Sequence, residues 1–242
     1  MVNPKCIEKM PTAKVEAELE QEQGKGRQIG IMGGTFNPVH IAHLVAAEQA
    51  MTKLKLDEVW FIPDNIPPHK NAPLTSAKDR ATMLDLATRD NPKFRVKLLE
   101  LFRGGVSYTV DTMRYLKEKA PQNDYYLIMG SDQVNSFHTW KEAPTLAKLV
   151  TLVGIRRPGY PQDPQYPMIW VDAPDIRLSS TAIRRSVATG TSIRYLVPEA
   201  VREYIEEKGL YLDETNFKNT YSPFSSEQIV AKEKANMKKK TF

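Results

Sequence analysis

Ile29-Gly30-Ile31-Met32-Gly33-Gly34-Thr35-Phe36-Asn37-Pro38-Val39-His40-Ile41-Ala42-His43 reads as a strand, a glycine turn and a helix start. Ile29 to Met32 form a short apolar run, and apolar residues recur at helical spacing from Ile41 to Lys53. At Gly33 and Gly34 no Cβ stands between the backbone and a ligand. The helix that follows presents N–H groups and a positive dipole end, which suits a phosphate. His40 and His43, three residues apart, share one face of its first turn. Together these features predict a polyphosphate cradle with two imidazoles leaning into it.

Outward from this stretch, strand and helix signals alternate. The pattern predicts strands at Gln28–Met32, Glu58–Pro63, Phe94–Leu98, Tyr125–Gly130, Leu149–Gly154 and Met168–Val171. It predicts helices at Ile41–Lys53, Ala77–Thr88, Thr109–Lys119, Ala143–Lys148, Thr181–Ala188 and Pro198–Glu207. Met83, Leu84, Leu86 and Ala87 give the second helix a buried stripe. The expected class is therefore α/β: a Rossmann-like, doubly wound, mainly parallel sheet with helices on both faces. Ligands of such sheets bind beyond the C-terminal strand ends, where strand order switches.

Three segments flank this core or interrupt it. Met1 to Lys25 is a leader rich in Glu, Gln and Lys. Its Lys14–Gln23 stretch has too few apolar positions for a buried face and is expected as a surface helix or a disordered arm. Arg156 to Pro167 holds Pro158, Gly159, Pro161, Pro164 and Pro167 and is expected as an irregular excursion. From Asn216 onward the chain is polar and basic, ending near Lys238-Lys239-Lys240. The expected organisation is an N-terminal extension over 1–25, a catalytic domain over 26–215 and a tail over 216–242.

Composition sets the outer limits. The chain has 242 residues, 41% of them hydrophobic and 26% charged, as in a soluble globular protein. No apolar run approaches membrane-spanning length, and the N-terminus lacks a signal-peptide core, so neither membrane nor export is expected. Cys6 is the only cysteine, which rules out a disulfide framework within one chain and fits a reducing cytoplasm. The formal charge of +5 admits nucleic acid as a partner. However, the basic run lies in the tail, and no aromatic–basic alternation builds a single-strand channel. No nucleic-acid partner is expected; a homo-oligomer stays open.

The opening stretch resembles the first signature of the nucleotidyltransferase superfamily related to class I aminoacyl-tRNA synthetases, usually Gly-Gly-Thr-Phe-Asp-Pro-x-His-x-Gly-His. Here Asn37 stands where Asp is commoner and Ala42 where Gly is commoner. Leu178-Ser179-Ser180-Thr181-Ala182-Ile183-Arg184 resembles its second signature. There a serine can cap the helix and Arg184 can add charge-assisted bonds to an anion. Three more segments are Pro67-Pro68-His69-Lys70, Glu100 to Thr112 with its core Ser107-Tyr108-Thr109, and Gly130-Ser131-Asp132 followed by Trp140. In this order, from about Gln28 to about Leu212, the set resembles the bacterial nicotinate-nucleotide adenylyltransferase family.

That resemblance implies transfer of AMP from ATP to nicotinate mononucleotide, a step of NAD biosynthesis. It implies ATP contacts from Gly33, Gly34, Thr35, Phe36, His40, His43, Asp132, Ser180, Thr181 and Arg184. His40, His43 and Arg184 would be catalytic. It implies acceptor contacts from Lys70, from the helix-start amides of Tyr108 and Thr109, and from Trp140 stacked on the pyridine ring. Mg²⁺ is expected to be held mainly by substrate phosphates, with no protein metal site.

Each assignment has a plainer counterpart. The histidines could be packed, capping or metal-sharing; no third ligand has convincing spacing. Lys70 could be solvated, Asp132 a cap, Trp140 a core anchor, and Arg156 and Arg157 solvated. Glu100 and Arg103 read as an ordinary surface pair. Nicotinamide mononucleotide and phosphopantetheine are alternative acceptors. An RNA-binding synthetase fragment and a non-catalytic nucleotide sensor are alternative functions.

Overall fold

The computed structural model describes residues 15–16, 26–68, 73, 75–156 and 164–212. Among the described residues seven strands form one sheet: β1 (Val15–Glu16), β2 (Gln28–Gly34), β3 (Glu58–Pro63), β4 (Phe94–Lys97), β5 (Asp124–Met129), β6 (Thr151–Arg156) and β7 (Ile169–Asp172). Their order is β1-β4-β3-β2-β5-β6-β7, and every pairing is parallel. The helices are α1 (Ile41–Leu54), α2 (Ala77–Thr88), α3 (Leu99–Arg103), α4 (Thr109–Lys119), α5 (Ser131–Ser136), α6 (Ala143–Leu149), α7 (Ser180–Ala188) and α8 (Glu199–Lys208).

Alternation along the strands divides the core in two. Met32, Val59, Phe61, Ile128 and Val153 face a cluster that includes Ala47 and Met51 of α1, Met83 and Leu84 of α2, and Val201 and Ile205 of α8. Ile29, Ile31, Trp60, Leu127 and Met129 face the other, with Met113 and Leu116 of α4 and Leu146 of α6. Parallel strands buried on both faces need such continuous apolar runs. The chain builds outward from β2 through β3 and β4, then crosses back to lay β5 on the other side of β2. The switch in strand order therefore falls between β2 and β5, beside Gly33-Gly34 and Gly130.

Two expectations need correction here. Within the leader, Val15–Glu16 is neither helical nor detached: it pairs with Val96–Lys97. The edge of β4 offers unpaired amides and carbonyls that a short strand can satisfy. The rest of the leader, residues 157–163 and the chain from 213 onward lie outside the described residues. The sixth strand begins at Thr151 rather than Leu149, because α6 runs on through Leu149. Helix α3 was not foreseen, and α5 was expected only as an unbounded helix after Gly130; at five and six residues they are too short to show a period.

Candidate active site

The expected glycine turn needs correction: Gly33 and Gly34 are the last residues of β2, paired with Ile62 and Pro63, and the chain turns only at Asn37–Pro38. A Cβ built on Gly33 would meet nothing within 4 Å, and one on Gly34 would touch only the Phe36 ring, at 3.5 Å. Both glycines border a cavity, so what their missing side chains leave open is space for a ligand. The Phe36 ring is buried, its centroid 5.2 Å from that of His43 and 5.9 Å from that of Phe61. Only the backbone of Phe36 remains for a nucleotide. The Asn37–Pro38 bond that follows is cis.

A buried arginine props this strand end from below. Arg80 of α2 is 1% exposed. It donates to the carbonyl oxygens of Thr35 at 2.9 Å and Asp64 at 2.8 Å, tying the end of β2 to the end of β3. Asp64 accepts from the Thr35 hydroxyl at 2.8 Å and pairs with Arg80 at 3.4 Å. Burial pulls the Arg80 guanidinium below its ordinary value, against the attraction of Asp64. The sequence signal was there: Arg80 occupies the apolar stripe of α2, three and four residues before Met83 and Leu84.

His40 and His43 sit together at the start of α1. Their rings stack at 3.6 Å with 16° between the planes. His40 is the N-cap residue and is 4% exposed. Its amide donates to Nδ1 of His43 at 3.2 Å. A neutral His43 with Nδ1 accepting carries its hydrogen on Nε2 and donates from there. The capping reading and the phosphate reading are thus compatible for His43. One detail of the cradle needs correction: the helix start is not fully open. The Ile41 amide donates to the Leu196 carbonyl at 3.1 Å, so a loop preceding α8 satisfies one of the amides expected for phosphate.

The second signature docks on the first. Ser179 caps α7 by accepting from the Ala182 amide at 3.2 Å. The Ser180 hydroxyl donates to the Pro38 carbonyl at 2.8 Å. Arg184 Nη1 donates to the Asn37 carbonyl at 2.9 Å. The Asn37 side chain accepts from the Tyr211 hydroxyl at 2.8 Å. The turn between the glycines and the histidines is therefore held by residues from much later in the chain. Because its hydroxyl is engaged, Ser180 has its amide, beside that of Thr181, to offer an anion.

A cavity of about 520 Å³ opens at the C-terminal ends of the central strands. Its walls bring together Gly33, Gly34, Thr35 and Asp132 from one predicted set with Tyr108, Thr109 and Trp140 from the other. Phe36, His40, His43, Ser180, Thr181 and Arg184 are not among its walls; the last five gather beyond the Asn37–Pro38 turn. Pro67 and Pro68 border the cavity, whereas Lys70 and Arg157 lie outside the described residues. Tyr108 is the N-cap of α4 and contributes no side-chain cap. Among the described residues no partner satisfies the amides of Thr109 and Val110 at the start of that helix. Trp140 follows a 3-10 turn (Phe137–Thr139), where its ring packs 5.5 Å from Phe137. Arg156 pairs with Asp172 on β7, away from these walls.

Glu100 is no surface residue. It is 7% exposed, lines the cavity, and accepts from the Thr112 hydroxyl at 2.6 Å. Burial raises its carboxyl above the ordinary range, with the Thr112 and Ser107 hydrogen bonds opposing. Arg103, read as its surface partner, stands 3.9 Å away and donates to the same Thr112 hydroxyl at 3.1 Å. Helix α3 turns Glu100 inward, and that helix carried no periodic signal.

The doubly wound parallel sheet, with two glycines and a cavity at its switch point, is of Rossmann type. Accordingly, a cytidylyltransferase-like family model matches residues 31–186, from β2 through most of α7. The chain is 54% identical over 186 residues to the "probable nicotinate-nucleotide adenylyltransferase" of Lactiplantibacillus plantarum, spanning 76% of this chain and 88% of that one. It is 50% identical over 193 residues to the protein of the same name from Enterococcus faecalis, spanning 79% and 88%. The chain belongs to the nicotinate-nucleotide adenylyltransferase family. The same fold occurs in a Plasmodium falciparum nicotinic acid mononucleotide adenylyltransferase complexed with NaAD. The TM-score is 0.66 at 21% identity, over 76% of this chain and 97% of that one.

Proposed function

We propose that this protein joins ATP and nicotinate mononucleotide into nicotinate adenine dinucleotide and pyrophosphate. One observation carries the reading: a single cavity runs from the open strand end at Gly33-Gly34-Thr35 to the uncapped start of α4 beside Trp140. The first end suits the phosphates of ATP and the second a flat ring bearing a carboxylate. Asp132 is exposed and lines the cavity, and in this reading it accepts from a ribose hydroxyl.

The acceptor phosphate is already an anion at neutral pH, so no base has to deprotonate it. One of its oxygens attacks the α-phosphorus of ATP. The bond from that phosphorus to the β-phosphate bridging oxygen breaks, and pyrophosphate leaves with the electron pair. Such a step needs alignment and charge stabilisation rather than a covalent enzyme intermediate. His43, donating from Nε2, serves the leaving phosphates together with Arg184 and the start of α7. His40 holds His43 by stacking and by its amide. Among the described residues no three His, Cys, Asp or Glu side chains converge as ligands. In this reading a magnesium ion held mainly by substrate phosphates would neutralise charge on the leaving group. The reading places the enzyme in the cytoplasm, working on small nucleotides without nucleic acid.

The test is product identification. Purified protein is mixed with ATP, Mg²⁺ and, separately, nicotinate mononucleotide, nicotinamide mononucleotide or phosphopantetheine, and the products are weighed by mass spectrometry. Nicotinate adenine dinucleotide is expected as the preferred product. Turnover of phosphopantetheine alone, or of none of the three, would overturn the reading.

A further inference from the structure

The acceptor end of the cavity contains a cation with no task in the mechanism above. Lys141 follows Trp140 and lines the same wall. Its ammonium lies 4.3 Å from the centre of the Tyr108 ring and 3.0 Å from a carboxylate oxygen of Asp111. Both partners belong to the first turn of α4, one as its N-cap. The ammonium is thus fastened against the helix start whose Thr109 and Val110 line the cavity.

An ammonium carries three N–H donors. Asp111 accepts one and the Tyr108 π face meets the charge from another side, leaving donor capacity for a ligand. Asp111 does not cancel that charge by itself, because it is shared with Arg114 at 3.6 Å. The Lys141 side chain is 41% exposed, so its field reaches the cavity and also feels salt.

Backbone amides at the start of α4, with the helix dipole behind them, already favour a carboxylate, and a charge beside them adds to that preference. A fixed cation separates them by charge: a carboxylate gains an attraction that a neutral amide does not. We infer that Lys141 is a specificity-determining residue, whose ammonium favours an acceptor ring bearing a carboxylate over one bearing a carboxamide. This rests on the acceptor site proposed above.

The experiment measures kcat/KM for nicotinate mononucleotide and nicotinamide mononucleotide in the wild type, Lys141→Gln and Lys141→Arg. The acid-to-amide ratio should fall about tenfold or more in K141Q, through a higher KM for the acid, and stay within about threefold in K141R. KM for ATP should not move. Rising salt should erode the ratio in the wild type and leave it flat in K141Q. A K141Q ratio equal to wild type overturns the inference, even if both efficiencies drop together, because that pattern marks a purely structural lysine. If the wild type adenylates neither nucleotide, the proposed function falls and takes this inference with it. If it adenylates the acid but the ratio ignores Lys141, only the inference falls.

Discussion

The amide of His40 settles which nitrogen of His43 can donate, so the chemistry of one residue is fixed by the backbone of another. Replacing His43 with alanine removes that donor. We expect kcat to fall about a hundredfold, as for loss of one preorganised donor to a developing charge. The structural loss is a cap, about 1 kcal/mol. That corresponds to a fall in Tm of roughly 2–4 °C. Normal turnover in His43→Ala would contradict the role, and an unfolded variant would favour a merely packed histidine. Glu100 makes a different prediction. Its carboxyl is raised in the folded state by burial, from a usual value of 4.5. Below the usual value it is protonated whether folded or not, and its contribution to stability is intact. As pH rises through the folded value, that contribution is lost, because ionisation favours the unfolded chain. Glu100→Gln keeps an acceptor for Thr112 and cannot ionise. Its Tm relative to wild type should therefore rise from acid to neutral pH. A difference that stays constant across that range would show that Glu100 is not strained by burial.

Among the elements, β2 and α1 were legible because each signal is local, an apolar run and a helical period; the two glycines, read as a turn, instead extend β2 to its end. Ala77–Thr88 and Thr109–Lys119 match the observed α2 and α4 for the same reason. Long-range contacts left no such trace. Nothing near Ile41 announces that Leu196 caps its amide, and nothing near Asn37 announces Tyr211, Ser180 or Arg184. Arg80 was not singled out in the sequence, although it stands as a charge in the apolar stripe of α2, and only the ends of β2 and β3 reveal what it holds. Glu100 was misread because α3 is too short to show which way its side chains face. The glycines themselves offer a clean test. A methyl on Gly33 meets no protein atom, so Gly33→Ala should fold with a Tm within about 2 °C of wild type, as for a substitution free of clash. It should nevertheless raise KM for ATP or lower kcat/KM by about tenfold or more, since the methyl fills ligand space. Unchanged kinetics would place the phosphates elsewhere.

Across the whole molecule, the site follows from topology. The chain lays β3 and β4 on one side of β2, then β5, β6 and β7 on the other, and the cavity opens at that reversal. One wall comes from the turn after β2, another from the start of α4, and a third from the segment after β5. The late signature on α7 then locks the turn from outside. The account claims that these walls hold the two halves of one product. The most direct measurement is a crystal structure of the protein with nicotinate adenine dinucleotide. The nicotinate ring should lie on Trp140, with its carboxylate about 3 Å from an amide at the start of α4. The adenylate should lie along Gly33-Gly34-Thr35, with its ribose at Asp132. A pyridine ring away from Trp140, or an adenylate away from the two glycines, would contradict the account.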